Sequence, residues 1–180
     1  VPNVLAGVQD IDMSVEIMGK KIDMPLFCFF SALQRLFHHD GELAVGLAAE
    51  RFNTFFGVSS LGTYSLKKIA EHVSTPKIFQ FYFHKDRGLN DDMVEKCKEA
   101  KFDAIALTVD TITGGNRERD LKTGFTSPPR LTLPSLMSFA LHPMWAFNYF
   151  THEKFELAQL KDYIKEGSNL AISVGDYFSS

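Results

Sequence analysis

Four short apolar segments recur along the chain at nearly even spacing, and this rhythm limits the folds that the chain can adopt. The segments are Pro25–Phe30, Asn53–Ser60, Lys77–Phe83 and Phe102–Asp110. Their starts lie about 24 to 28 residues apart, close to the roughly 31 residues per unit of an eight-unit β/α barrel. The spacing predicts an α/β fold, namely the first half of a TIM (β/α)8 barrel with about four βα units.

The barrel interpretation also sets the expected domain organisation. Residues 1–24 form a pre-barrel segment that turns at Gly19-Lys20-Lys21, and residues 25–110 hold barrel strands 1–4 with their helices. Regular apolar patterning stops in residues 111–150, which predicts a long loop after strand 4, and residues 151–180 are expected to form a helix and tail. Because four units leave barrel-closing strand edges unpaired, we expect one partial domain of a longer protein.

Residues that can open a helix follow each of the first three strands. They are Asp40-Gly41-Glu42, Ser65 and Asn90. In the first helix, Leu43 and Leu47 share one face with alanines, as helical periodicity requires. A last helix is expected to open at Thr151 or His152.

Composition excludes several classes of protein. The formal net charge of −3 and the pI near 6.1 give no basic surface for nucleic acid. Cys28 and Cys97 form no C-x-x-C motif, so neither a disulfide framework nor a zinc ribbon is expected. The cluster His38-His39-Asp40 lacks metal-ligand spacing, and we expect no metal site. No secretory signal is visible, which favours a cytoplasmic protein.

The segment Leu131–Phe150 is apolar and aromatic but unsuited to crossing a bilayer. A spanning helix needs about 20 apolar residues, whereas Pro134 and Pro143 interrupt this segment. Trp145 and Tyr149 are suited to the headgroup boundary of a membrane. Two interpretations stay open: peripheral contact with the inner face of the cytoplasmic membrane, or packing on its own domain or another subunit.

Polar side chains are expected to converge at the carboxyl ends of the strands. Period-two geometry turns Gln80 and Tyr82 into the barrel in the third segment, and Thr108 and Asp110 in the fourth. Ser59 lies at the end of the second segment. Barrel enzymes place their sites at this edge, although each residue alone could equally be a satisfied polar group of the core.

A glycine- and arginine-containing segment, Gly114–Asp120, follows the fourth strand. Glycines allow close approach of the backbone to a ligand, and Arg117 can pair with a carboxylate through two hydrogen bonds. The alternative is a surface cluster of ion pairs, and the segment alone does not separate the two.

Seven motifs, in this order, resemble the FMN-dependent 2-hydroxy acid dehydrogenases and oxidases, a family that includes L-lactate dehydrogenase, glycolate oxidase and mandelate dehydrogenase. The resemblance runs from about Val1 to Asp120 and is weaker beyond. The motifs are Ile11-Asp12-Met13-Ser14, His38-His39-Asp40-Gly41-Glu42, Val58-Ser59-Ser60, Phe79-Gln80-Phe81-Tyr82, Lys85-Asp86-Arg87, Leu107-Thr108-Val109-Asp110-Thr111 and Gly115-Asn116-Arg117-Glu118-Arg119-Asp120.

The resemblance implies roles for individual residues. Those that contact the flavin ring would be Ser59, Gln80 and Thr108, together with backbone near Ser31 and Ala32. Tyr82 resembles the tyrosine that orients the substrate, and is counted with Asp110 as catalytic. Asp110 resembles the aspartate that pairs with the catalytic histidine, and Arg117 one of two arginines that hold the substrate carboxylate.

The implied activity is oxidation of a short, lactate-like L-2-hydroxy acid to the 2-oxo acid, with electrons passed from FMN to a quinone, a cytochrome or oxygen. The complete protein would be a homo-oligomer. The family's catalytic histidine and second arginine would lie beyond Ser180, so the fragment alone is expected to be inactive. Phe29-Phe30-Ser31 departs from the small residue, proline and threonine usual beside the flavin. Two alternatives remain: a non-catalytic half-barrel that serves assembly, or another FMN barrel enzyme such as an isomerase.

Overall fold

The computed structural model describes residues 7, 9–84, 86–109, 118–123, 132–154 and 156–159. Asp110, Arg117 and all residues after 159 therefore lie outside the described residues. Within these ranges, strands and helices alternate along the chain from residue 28 to residue 108.

A four-stranded parallel sheet is the centre of the fold. Its strands are β3 (Cys28–Ser31), β4 (Phe56–Ser59), β5 (Lys77–Tyr82) and β6 (Ala104–Thr108), in that spatial order. The connecting helices are α1 (Gly41–Arg51), α2 (Leu66–His72) and α3 (Arg87–Glu99). Sequential parallel strands joined by helices confirm the predicted α/β class.

A short antiparallel hairpin precedes the sheet. It consists of β1 (Val15–Ile17) and β2 (Lys20–Ile22), with Ile17 paired to Lys20. The turn falls on Met18 and Gly19, both with positive φ angles. Of the predicted turn Gly19-Lys20-Lys21, only Gly19 lies in the turn, because Lys20 and Lys21 belong to β2. Glycine adopts this backbone conformation at little cost.

The hydrophobic core lies between the sheet and helices α1–α3. Phe56 and Val58 of β4, and Phe79 and Phe81 of β5, are buried in it. The two phenylalanines of β5 therefore face the helices, as period-two geometry predicted. Phe83 lies beyond the strand and is exposed, with the Arg87 guanidinium carbon 5.0 Å from the centre of its ring.

Helix α1 packs through small residues, not through the predicted leucine face. Its buried residues are Gly41, Glu42, Gly46 and Ala49, whereas Leu47 is 51% exposed. A Cβ at Gly46 would lie 2.7 Å from Val73 Cγ2 and 3.1 Å from the Phe56 ring. The helix therefore approaches the sheet through its glycine side. Leu43 is half-buried against the core, but the prediction was wrong for Leu47.

The helix starts agree with the sequence at two of three predicted positions: α1 begins at Gly41, directly after Asp40, as predicted. Ser65 caps α2 by accepting a hydrogen bond from the Lys68 backbone N–H at 3.2 Å, as predicted. Helix α3 begins earlier than expected because Asp86 is its N-cap. Asn90 lies inside α3, where its buried amide bonds to both backbone groups of His84. It fixes the turn after β5, so its predicted capping role was wrong.

The segment after β6 contains helices where the sequence predicted a long structureless loop. They are α4 (Glu118–Thr123), α5 (Leu133–Ala140) and α6 (Pro143–Thr151). Pro134 and Pro143 occupy the first turns of α5 and α6, where proline is tolerated because the first N–H groups need no helical partner. The predicted helix start at Thr151 or His152 was also wrong, because α6 ends at Thr151.

Candidate active site at the carboxyl edge of the sheet

Three polar side chains meet where β4, β5 and β6 end. Ser59 is in register with Gln80 on the neighbouring strand. The Ser59 hydroxyl donates a hydrogen bond to Gln80 Oε1 at 3.3 Å, and Gln80 Nε2 donates one to Thr108 Oγ1 at 2.7 Å. The first two side chains are buried and the third is half-buried. The structure therefore brings together Ser59, Gln80 and Thr108, here called the polar cluster.

The hydrogen bonds inside the polar cluster leave donors for a ligand. Ser59 Oγ also accepts the Leu61 backbone N–H at 3.2 Å, so its donor and one acceptor position are used. Within the described residues, one amide hydrogen of Gln80 and the hydroxyl hydrogen of Thr108 have no acceptor. The cluster can thus donate to a carbonyl oxygen or a ring nitrogen.

The end of β3 lies at the same edge of the sheet. Ser31 pairs with Val58, one residue before Ser59, and Ala32 follows it in an exposed position. The next residue, Leu33, has a left-handed φ of 53°, and its N–H donates to the Leu61 carbonyl at 3.1 Å. The backbone of Ser31 and Ala32 is consequently held beside the turn that follows Ser59.

Phe29-Phe30-Ser31 differ from the residues usual beside the flavin in the family that the sequence resembles, and a glycine on the next strand, Gly57, compensates for the larger side chain. The β3–β4 register shifts between Cys28 and Ser31. In this arrangement the Phe30 ring lies against Gly57, where a Cβ would be 2.7 Å from Phe30 Cδ1 and 3.1 Å from the Cys28 carbonyl oxygen. Gly57 therefore accommodates the large side chain, a requirement that the sequence alone did not reveal.

The Phe30–Gly57 contact predicts a stability effect. Replacing Gly57 with alanine in the complete protein should destabilise it by about 1–3 kcal/mol, because the added methyl overlaps a ring and a carbonyl in a packed sheet. Urea unfolding measures the change. The double variant with Gly57→Ala and Phe30→Ala should recover part of the lost stability. Gly88→Ala is the control, because its added Cβ meets only the Asp86 side chain, at 3.3 Å. Equal stability of Gly57→Ala and wild type would contradict this contact.

Tyr82 is the remaining predicted site residue that the structure describes. It pairs in register with Thr108, lies two residues beyond Gln80 on the same strand, and is half-buried. Tyr82 is thus placed at the same edge as the polar cluster. The other two candidates, Asp110 and Arg117, lie outside the described residues, so their roles stay predictions.

Two buried ionisable groups lie away from this edge and stabilise the scaffold. Lys77 begins β5, and its Nζ donates to the Val73 and Thr75 carbonyls at 2.9 Å each. Burial lowers the pKa of Lys77. Burial also raises the pKa of Cys97 to about 11, so this thiol is a poor nucleophile at neutral pH.

A histidine cluster joins the start of α1 to the segment after α6. His39 Nε2 lies 3.4 Å from Asp40 Oδ1, and His38 Nδ1 lies 3.7 Å from Asp40 Oδ2. The His39 ring stacks on His38 with centroids 4.3 Å apart and on His152 with centroids 3.9 Å apart. The ring nitrogens and carboxylate oxygen that His38, His39 and Asp40 could offer as ligands lie within 4.8 Å of one another. The expected absence of a metal site therefore stays a prediction.

Helices α5 and α6 form an apolar hairpin, defined here as residues 132–151. It contains no acidic residue, lysine or arginine. The Trp145 indole N–H donates to the Leu36 carbonyl at 2.8 Å and anchors the hairpin to the turn after β3. Its exposed large apolar side chains are Leu133, Leu136, Met137, Phe139, Leu141, Met144, Phe147, Tyr149 and Phe150. Among the described residues, no helix has the length and hydropathy needed to cross a membrane.

Glu42 and Thr63 are buried polar residues beside the site that sequence reasoning did not single out. The Glu42 carboxylate accepts hydrogen bonds from the Thr63 backbone N–H at 2.8 Å and hydroxyl at 2.5 Å. Glu42 stands in the first turn of α1, where the sequence pattern suggests an exposed acid favoured by the helix dipole. Only the contact between two distant segments reveals its burial.

Parallel βα units with a polar cluster at their carboxyl edge are the arrangement of part of an α/β barrel with a candidate site at its mouth. A family model described as FMN-dependent dehydrogenase matches residues 1–176, and the chain belongs to this family. Glycolate oxidase 1 of Oryza sativa subsp. indica is 41% identical over 143 residues, which are 79% of this chain and 39% of that protein. The chain thus spans well under half the length of this relative.

Solved structures give the same assignment. The monotopic membrane protein (S)-mandelate dehydrogenase matches with a TM-score of 0.86 and 26% identity, over 97% of this chain and 47% of that one. A lactate oxidase of Pediococcus acidilactici matches with a TM-score of 0.66 and 28% identity, over 85% of this chain and 42% of that one. The described βα units accordingly correspond to part of a TIM barrel, as the spacing predicted.

The donor set of the polar cluster fits the flavin of this family. The polar edge of an isoalloxazine ring carries two carbonyl oxygens, ring nitrogens and one N–H. A primary amide offers both a donor and an acceptor, and a hydroxyl adapts to either role. The free hydrogens of Gln80 and Thr108 therefore match the acceptors of the ring.

Proposed function

We propose that the complete protein containing this chain oxidises a short L-2-hydroxy acid to the 2-oxo acid with FMN. The observation that carries this proposal is the hydrogen-bonded polar cluster at the carboxyl edge of a barrel of the FMN-dependent dehydrogenase family. A mandelate dehydrogenase and a lactate oxidase among the similar structures support the substrate class.

The residues of this chain would bind and orient the two reactants. Ser59, Gln80 and Thr108 would hold the polar edge of the flavin, with the backbone of Ser31 and Ala32 beside it. When bound, FMN would supply the two-electron acceptor for the substrate, and the protein groups fix its position.

Three further residues would act on the substrate. Tyr82 would orient its hydroxyl group from the same edge of the sheet. Arg117 would pair with its carboxylate, since a guanidinium forms two parallel hydrogen bonds to that group. Asp110 would hold a histidine base from elsewhere in the complete protein. This division of roles places proton transfer on protein groups and electron transfer on the cofactor.

The partners and location follow from the same proposal. The reduced cofactor would pass its electrons to a quinone, a cytochrome or oxygen. We propose a cytoplasmic homo-oligomer whose apolar hairpin contacts the inner face of the cytoplasmic membrane. Support comes from the many exposed apolar side chains of the hairpin and from the similarity to a monotopic membrane protein, since an exposed apolar surface of this kind marks an interaction site.

One experiment separates this function from the alternatives. The complete protein should be isolated yellow, with non-covalent FMN, and anaerobic addition of L-lactate, glycolate or (S)-mandelate should bleach the flavin absorbance. D-Lactate is the control and should leave the spectrum unchanged. An assembly module would stay colourless and would not take up added FMN. An FMN isomerase would be yellow but would not be bleached by any of these acids.

A further inference from the structure

Glu42 is an ionisable side chain that is fully buried beside the candidate site. Its residue is 0% exposed. Its two carboxylate oxygens accept from the Thr63 N–H at 2.8 Å and the Thr63 hydroxyl at 2.5 Å. Among the described residues, no lysine, arginine or histidine forms an ion pair with Glu42.

Burying a carboxylate without a cation is costly unless its hydrogen bonds are made. Two bonds to a charged acceptor, together with the N-terminal turn of α1, offset this cost. All of the bonding capacity described for Glu42 is thus directed at one residue, Thr63. What Thr63 holds in place therefore decides what Glu42 does.

Thr63 directly follows a tight turn, Ser59–Gly62. The Gly62 N–H donates to the Ser59 carbonyl at 2.9 Å, and a Cβ on Gly62 would lie 2.9 Å from that same oxygen. The Leu61 N–H donates to Ser59 Oγ at 3.2 Å. Because Thr63 directly follows this turn, its position influences where the Leu61 N–H points and so the hydrogen bond that holds the Ser59 hydroxyl.

The same turn is bonded to both neighbouring strands. The Ser60 N–H donates to the Gln80 carbonyl at 3.0 Å, and the Leu61 carbonyl accepts the Leu33 N–H at 3.1 Å. The turn after β4 therefore connects the polar cluster to the backbone that follows Ser31 and Ala32. Glu42 is the side chain that fixes this turn to α1.

We infer that Glu42 is a positioning residue for the cofactor edge: by holding Thr63, it fixes the Ser59 hydroxyl and, through it, the Gln80 amide. This inference rests on the proposed FMN function, because the cluster that Glu42 orients is the one assigned to the flavin. Glu42 itself does not touch the cofactor. A role confined to fold stability would leave bound flavin unchanged.

The first test compares Glu42→Gln with Glu50→Gln in the complete protein. Glu50 lies on the same helix and its carboxylate accepts the Ser74 N–H at 2.9 Å, at the opposite end of α1. Glutamine at position 42 keeps the shape but places an amide donor opposite a donor. We expect its dissociation constant for FMN to rise about tenfold or more, and the absorption bands of the bound flavin to shift. Glu50→Gln should stay within about twofold of wild type.

A second pair of variants tests the same interaction in case Glu42→Gln does not fold. Thr63→Val removes the hydroxyl donor and keeps the backbone bond, whereas Thr63→Ser retains both. We expect Thr63→Val, which leaves one buried Glu42 oxygen without its donor, to show the same spectral shift at saturating FMN, and Thr63→Ser to match wild type. Combined with Glu42→Gln, Thr63→Val should add little, because both remove one interaction.

The outcomes separate this inference from the proposed function. If wild type does not take up FMN, the proposed function fails and the inference fails with it. If wild type binds FMN and Glu42→Gln or Thr63→Val binds it with the same affinity and the same spectrum, the inference alone is overturned. The inference is also overturned if these variants bind FMN more weakly only in proportion to their lower melting temperature, with no change in the flavin spectrum at saturating FMN.

Discussion

Replacing Gln80 with leucine in the complete protein is expected to weaken FMN binding by about 30- to 1,000-fold, or about 2–4 kcal/mol. The amide joins Ser59 to Thr108 by two hydrogen bonds at the carboxyl edge of the sheet. Leucine has a similar size but strands both hydroxyls, and each unpaired buried group costs about 1–3 kcal/mol. Quenching of FMN fluorescence by the apoprotein measures the affinity.

The control for this prediction is another buried glutamine. Gln159 donates to the Tyr64 carbonyl at 2.7 Å and is buried, but it is not part of the polar cluster. Gln159→Leu should destabilise the protein about as much as Gln80→Leu does, without a comparable loss of FMN affinity. If Gln80→Leu binds FMN as tightly as wild type does, the polar cluster is not part of the cofactor site.

The second large effect is expected at the apolar hairpin. Leu133→Ser, Met144→Gln and Phe150→Ser together should move the complete protein from the membrane fraction to the soluble fraction. These side chains are 75%, 74% and 80% exposed. Burying three such groups in lipid contributes on the order of 5 kcal/mol, which is a partition ratio of several thousand. Sedimentation with phospholipid vesicles measures the change.

A matched control tests whether any exposed apolar residue has this effect. Ile11 lies in the segment before β1 and Leu47 lies on the outer face of α1, and both are exposed. Ile11→Ser with Leu47→Ser should leave vesicle binding unchanged, and the triple hairpin variant should retain FMN. If wild type does not bind vesicles, the membrane proposal fails, and packing of the hairpin against another subunit becomes the better explanation.

The regular part of the fold could be predicted because its signals are local. Three of the four apolar segments contain the strand that the structure describes, and β3 extends one residue beyond the other. Ser65 caps α2 as its position suggested. Period-two geometry also placed Gln80 opposite Phe79 and Phe81 across the sheet. Parallel strands place their carboxyl ends at one edge, so a polar residue at each strand end was enough to predict that Ser59, Gln80 and Thr108 meet.

Errors occurred where local patterns competed with tertiary packing. Asn90 resembled a helix cap, but Asp86 offered a cap four residues earlier and left Asn90 to bind the backbone of His84. Exposure depends on packing as well: Ile105 and Leu107 of β6 are in register with Phe79 and Phe81 and so lie on the helix side of the sheet, yet both are exposed in the described part of the chain, where β6 is the last strand. Pro134 and Pro143 suggested an irregular loop, although each lies in the first turn of a helix.

The sequence by itself determined the βα order, the polar strand ends and the absence of charge from the apolar hairpin, because all three depend only on residues that are close together in the chain. Only the tertiary structure decided that Glu42 meets Thr63 and that Gly57 lies under Phe30. Those contacts join residues 21 and 27 positions apart in the numbering. Burial and steric fit depend on distances across the fold, and no pattern within a strand or a helix encodes them.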